Sequence, residues 1–425
     1  MLRMFLPAGR VPGRGVASAL ALAAALAAGG ALGTAATVSP ALAQGQAKAN
    51  YSPDFVKVYQ PVANIVNAAD GDFAAAKAQA PAVVAAAQSA DDRNAAGSLL
   101  VTLGGKLNDR AMQRQGLELM LASGKVAPAQ VGQLQFVLGN LAADAKDWAA
   151  ARTALQAAKQ AGYADENMDP LLAESYFNGN QAAEGLAFLK TAIEQRAAAG
   201  QPVPETWLRR GLAVAYENKL APQATEWSAL LAKTSPSATN WQMALQVVGA
   251  VNNFDTQVQL DLLRLMAITN SMKERAEFVR YVEAADPRIM ANEVSRVLEG
   301  AVQAGVLTTG DEYYKEVKRV VDERAPADRS EAPKLVAEAK SAANGSDALN
   351  AGDVLYSLGQ YAQAEEMYQL ALQKGGVDKD RALTRLGIAQ AHQGKNADAK
   401  SNFAQVSGAR APVAQMWQAY VESKA

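Results

Sequence analysis

From residue 54 onward the apolar positions return with the spacing of amphipathic helices, and small residues are set against large ones in a fixed order. In residues 355–375, LYSLGQYAQAEEMYQLALQKG, the pattern is carried by Gly359, Tyr361, Ala364, Tyr368, Ala371 and Leu372. Five times a Gly or Ala precedes a large apolar residue by sixteen positions: Gly139 and Leu155, Ala173 and Leu189, Gly211 and Trp227, Gly352 and Tyr368, Gly387 and Phe403. In four of these units a further small residue follows twelve positions after the first, at Ala151, Gly185, Ala364 and Ala399; the third has Gln223 there, beside Ala224. Two helices of about 12 to 14 residues with two short turns fill about 34 residues, which gives the spacing a physical cause. Antiparallel helices approach closely where one side is small, and Leu, Tyr, Trp or Phe from the partner fills the space beside it. Alternating Val- and Thr-rich runs are scarce, so a sheet has little to build from.

The turns are marked as well. DGDF at 70–73, DAKDW at 144–148 and LGQY at 358–361 place polar residues or glycine just before an aromatic. Gly359 suits a helix C-terminus, where positive φ is tolerated. The small-then-large order resembles the tetratricopeptide repeat, whose signature runs W-x2-L-G-x2-Y and then A-x3-F. Leu138-Gly139, Ala151 and Leu155 match it, as do Leu386-Gly387, Ala399 and Phe403. Gly359, Tyr361, Ala364 and Tyr368 match with Ala351-Gly352 in place of Leu-Gly, and Trp207 with Gly211 matches with Arg210 in place of Leu. Gly71-Asp72-Phe73 with Ala76 hints at a further unit. The resemblance implies an all-α chain, a solenoid of antiparallel helix pairs in two repeat blocks with a degenerate middle.

At the N-terminus Arg3, Arg10 and Arg14 precede an apolar run from Val16 to Ala28, and VSPALAQ follows, with Ala41 and Ala43 framing Leu42. This is the layout of a cleaved export signal ending at Ala43. An uncleaved leader would instead leave an inner-membrane anchor. No later apolar stretch reaches the about 20 residues of a membrane span. The expected organisation is a signal peptide at 1–43, a linker at 44–53, an N-terminal helical repeat block at 54–254, a degenerate helical segment at 255–325, a linker or joint at 326–345, a C-terminal repeat pair at 346–408 and a capping helix at 409–425. TTGDE at 308–312 reads as a helix start, and Pro412 suits a first helical turn with Val413, Met416, Trp417, Tyr420 and Val421 on one face.

Composition narrows the function. Half of the 425 residues are apolar and 20% are charged, which is globular. Without the leader's three arginines, 38 basic residues stand against 42 acidic ones, a mild balance that does not point to nucleic acid. There is no cysteine and a single histidine, His392, so zinc, copper and haem sites lack their usual ligands and no cofactor is expected. Leu103-Gly104-Gly105-Lys106 fails as a phosphate loop, because Leu107 follows the lysine and Leu100 stands where the first glycine belongs. The acidic run Asp165 to Asp169 lacks the central Gly and terminal Glu of a calcium loop and reads as a solvated turn. Catalytic constellations are absent from the sequence; a carboxylate-only site in 241–325 is the form an enzyme would take.

A binding surface is the better expectation. After each helix pair packs, one face of its first helix is left over. In the tetratricopeptide family this face lines a groove for peptides or partner helices. The residues that fall on or beside it, and are expected to bind a partner protein, are Phe136, Asn140, Glu174, Phe177, Asn178, Arg209, Tyr216, Asp353, Tyr356 and His392. Lys, Asn and Arg at set groove places mark the relatives that clamp a C-terminal carboxylate; Asn140 and Arg209 match two, but Phe136, Leu171 and Glu205 stand at the others, which disfavours that subclass. The expected role is an adaptor or scaffold in the periplasm for envelope assembly or secretion, with a cell-wall or polysaccharide binder as a further alternative.

Overall fold

The computed structural model describes residues 49–424, so the expected leader and the first residues of the linker lie outside the described residues. Among the described residues are twenty α-helices and no strand. None of these helices is long and apolar enough to cross a membrane. The chain divides into two compact units at Glu194/Gln195.

The unit ending at Glu194 contains α1 (Pro53–Asn67), α2 (Phe73–Ala86), α3 (Ala90–Lys106), α4 (Arg110–Ser123), α5 (Pro128–Asp144), α6 (Trp148–Gln160), α7 (Met168–Asn178) and most of α8 (Ala182–Ala198). Aspartates start several of them. The carboxylates of Asp72, Asp109 and Asp147 accept from the backbone N–H of Ala75, Met112 and Ala150 at 2.9, 3.0 and 3.2 Å, satisfying donors that a helix start leaves open. Neighbouring helices run antiparallel, and glycines show it. A Cβ on Gly97 would collide with Gly116 and Met120, and one on Gly104 with Asp109 and Gln113. The expected non-phosphate reading of Gly104-Gly105-Lys106 therefore has a positive counterpart, since these residues are helical and Gly104 admits the next helix. Aliphatic and aromatic side chains such as Phe55, Val62, Val83, Leu100 and Leu103 fill the core.

The unit from Gln195 contains the end of α8, then α9 (Glu205–Glu217), α10 (Ala221–Thr234), α11 (Ala238–Val251), α12 (Thr256–Ile268), α13 (Arg275–Ala285), α14 (Ala291–Gln303), α15 (Glu312–Ser341), α16 (Ser346–Ser357), α17 (Tyr361–Lys374), α18 (Lys379–His392), α19 (Asn396–Phe403) and α20 (Ala411–Glu422). The sixteen-residue spacing is a physical interlock. A Cβ on Gly139, Gly352 or Gly387 would meet Leu155, Tyr368 or Phe403 at 2.6, 2.6 and 2.5 Å, and one on Gly211 would overlap the Trp227 ring. Such distances leave no room for a side chain, so glycine sets how close each pair comes. Helix α20 packs against both α19 and α10, with Val413, Met416, Trp417 and Val421 buried. Its core is continuous with Ala232, Trp241 and Leu245 of α10 and α11. The division at Glu194/Gln195 therefore falls inside the expected block 54–254, whose last helices share a core with α20.

The expected joint at 326–345 is a second departure. Residues 312–341 form one continuous helix through Pro326 and Pro333. Proline removes the bond to the carbonyl four residues back. Those carbonyls belong to Asp322 and Arg329, and these residues, like both prolines, lie on the exposed side, where a helix tolerates the loss of a backbone bond at the least cost. The opposite side buries Ala325, Asp328, Ala332 and Ala339. Asn292 of α14 donates to the Ala325 carbonyl at 3.3 Å and accepts from Arg329 Nε at 3.0 Å. The actual break falls at 342–345, where Lys374 Nζ donates to the carbonyls of Ala339, Lys340 and Ala342 at 2.8, 3.0 and 2.5 Å.

Candidate functional site

The residues QLDLLRLM of α12 are apolar apart from Gln259 and an Asp and an Arg three positions apart. Asp261 and Arg264 thus share a face, and both are buried, at 0% and 1% exposure. Charges so placed persist only when fully paired. Arg264 forks onto Glu293 of α14 through Nε and Nη2, each at 2.8 Å, and donates from Nη1 to Asp261 at 3.0 Å. Its guanidinium lies 4.2 Å over the Tyr356 ring. Tyr281 of α13 donates to Glu293 at 2.7 Å.

Asp261 also accepts from Arg410 Nη1 at 2.6 Å and faces Arg385 Nε at 3.6 Å, while its backbone carbonyl takes the Trp417 indole N–H at 2.8 Å. Arg385 continues the network to Asp353 and donates to Gln257 at 2.6 Å. Asp353 accepts in addition from Tyr368 at 2.9 Å and Arg381 at 2.8 Å. Three carboxylates and three buried guanidiniums thereby tie together α12, α14, α16, α18 and the turn that precedes α20. Burial pushes the Asp261 carboxyl up, but Arg385, Arg264 and Arg410 outweigh it and hold it below the usual range. Glu293 is likewise raised by burial and lowered further by Arg264 and the Tyr281 hydroxyl, so it is ionised. Burial, reinforced by Glu293, drives the Tyr281 hydroxyl well above its ordinary value.

Above this network lies a cavity of about 460 Å³. Its lining combines the charged and polar residues Arg264, Asn270, Lys273, Glu293, Arg296, Gln303, Tyr356, Tyr361 and His392 with the apolar residues Ile268, Met272, Phe278 and Val297, and with Gly300. Tyr356 Oη and His392 Nε2 are 2.9 Å apart, and Tyr361 stacks on the imidazole at 4.2 Å between ring centres. Burial, then the field of Arg264, lowers the His392 imidazole to about 4, so it is neutral at pH 7.

The residues expected on the groove face have different surroundings. Tyr356 and His392 come together on the cavity wall. Phe136 is buried, with its ring centre 5.3 Å from that of Tyr163. Asp353 is buried in the ion network. Phe177 packs where Gly185 leaves space for its ring. Asn140 and Asn178 donate to the carbonyls of Phe136 and Glu174, each at 2.8 Å. Glu174 accepts from Asn178 through its carboxylate as well, at 3.2 Å. Arg209 pairs with Glu205 at 2.7 Å, and Tyr216 is half-exposed.

No family model matches the chain. No curated protein matches it either. Among solved structures 69 chains are similar. One carries the description "Structure of Naa15/Naa10 bound to HypK-THB"; the similarity has 14% identity and a TM-score of 0.38, and covers 84% of this chain and 58% of that one.

Sequence spacing did not single out Asp261, Arg264, Glu293, Arg385 and Arg410. The available signal was the charged pair inside the apolar run of α12, which marks a buried ion pair. Within 241–325, Asp261 and Glu293 both accept from Arg264. Asp261 and Glu293 have their oxygens turned to guanidinium and phenol donors.

Proposed function

We propose that the chain is an exported helical-repeat scaffold that binds another protein and carries out no catalysis of its own. The observation that carries the reading is the division of labour on α9. Gly211 faces inward onto Trp227, while Arg209 and Tyr216, two turns apart on one side, stay half-exposed. A face with an aromatic and a guanidinium beside a rigid interlock suits a protein partner, because such side chains anchor interfaces. The neighbour named above is described as bound to HypK-THB, and that description is of the neighbour. The N-terminal Arg-rich, apolar and A-x-A segments support the periplasm as the compartment.

Crosslinking pull-down from the periplasm tests the reading. Wild type should retain a partner that Arg209→Ala with Tyr216→Ala loses while keeping its helical circular dichroism. Identical capture by the folded variant would overturn the assignment of this face. Mass spectrometry of the exported chain should show Gln44 as the first residue; an intact leader would place the chain at the inner membrane.

A further inference from the structure

We propose that the cavity above the ion network binds a small carboxylic acid with an apolar body. This goes beyond the scaffold reading and uses a different surface, so either can fail alone. Three observations converge. The first is size, since about 460 Å³ falls within the about 300 to 1,000 Å³ of small-molecule sites.

The second is charge. Arg264, Lys273 and Arg296 line the cavity against one carboxylate, Glu293. Glu293 is taken by Arg264. Arg296 donates to the carbonyls of Asn292, Ser357 and Tyr356 at 3.2, 2.8 and 3.5 Å. Among the described residues no carboxylate pairs with Arg296 or Lys273. The nearby Glu277 turns its oxygens to the backbone N–H of Lys273 and Glu274 and to Gln246, at 2.6, 3.0 and 2.9 Å. With His392 neutral, the lining carries a surplus of positive charge among apolar residues. A carboxylate at Arg296 would complete the pairing, and an alkyl or aryl body would cover Ile268, Met272 and Phe278.

The third is Gly300. Glycine inside a helix is unfavourable, and at several helical positions here it admits a close neighbour. At Gly139, Gly352 and Gly387 that neighbour is a side chain of the protein. At Gly300 an added Cβ would meet only Phe278, at 3.9 Å, and otherwise open space. Within the protein there is no packing reason for it; it enlarges the cavity floor.

Isothermal titration of the mature chain with phenylacetate, 4-phenylbutyrate and octanoate tests the site, with 4-phenylbutylamine and 4-phenylbutan-1-ol as controls. At least one acid should bind saturably and raise Tm, with the amine at least about tenfold weaker. Arg296→Gln should weaken the acid about tenfold or more, the loss of one charged hydrogen-bond partner. Gly300→Leu should abolish binding while the unliganded variant keeps its helical signal and a Tm no lower than that of the unliganded wild type. Absence of binding by all three acids, equal binding of the amine, or undiminished binding to folded Gly300→Leu would overturn the proposal.

Discussion

The helix pairs α16–α17 and α18–α19 differ sharply from the segment α12–α14 in what holds them. The pairs are joined by shape: Tyr368 and Phe403 sit where Gly352 and Gly387 have no side chain. The segment α12–α14 is joined by charge, through Arg264, Asp261, Glu293 and their distant partners. Shape complementarity recurs at a fixed interval because both halves lie in one helical hairpin. Charge complementarity has no interval. Arg264 finds Glu293 29 residues on, and Asp261 finds Arg410 149 residues on. One unit therefore uses a periodic device for neighbouring helices and an aperiodic one where helices far apart in sequence meet.

The sharpest way to break the comparison is to remove one charge. Arg264→Met leaves Glu293 buried without its main partner and should cost about 3 to 5 kcal/mol in urea unfolding. Arg264→Met with Glu293→Leu should recover much of that loss, because the stranded charge goes as well. The shape device should be less costly to damage. Gly387→Ala forces a Cβ against Phe403 and should cost about 1 to 3 kcal/mol by the same measurement.

The pH response separates the two devices further. His392 has its pKa lowered from 6.5 to about 4, so the unfolded chain binds its proton first as pH falls. Its contribution is complete above about 6.5 and is lost between there and about 4. Asp261 and Glu293, also lowered, add a further loss at more acid pH, as pH falls through their folded values. Tm measured from pH 7 to pH 4 should fall with a slope that His392→Phe reduces, and Gly387→Ala should leave that slope unchanged. The smallest effect is a gain. Gly300→Ala should stabilise the unliganded chain by about 0.5 to 1 kcal/mol, since helix propensity improves and nothing is displaced.

Much of the repeat architecture was legible because it rests on residue size at a constant interval. The turns at Asp72, Asp147 and Gly359 were legible from local chemistry, and Gly359 does adopt positive φ, at 77°. The long helix α15 was not, because the effect of Pro326 and Pro333 depends on which side faces water, and that is decided by packing against α14. The surroundings of the groove-face residues were legible only in part. Counting along α16 and α18 put Tyr356 and His392 on comparable faces, and they do meet. The same counting could not foresee that Asp353 is taken by Arg381, Arg385 and Tyr368, since the partner set comes from two other helices, α17 and α18. The cavity floor was hidden for a related reason: Arg296 and Gly300 acquire meaning only beside α12, α13 and α16.

The most direct test of the interlock is a double-mutant cycle on Gly211 and Trp227, read by urea unfolding. Gly211→Ala and Trp227→Leu should each destabilise, and the double variant should be less destabilised than their sum by about 1 kcal/mol, because the smaller side chain makes room for the new Cβ. Strict additivity of the two changes would contradict the account.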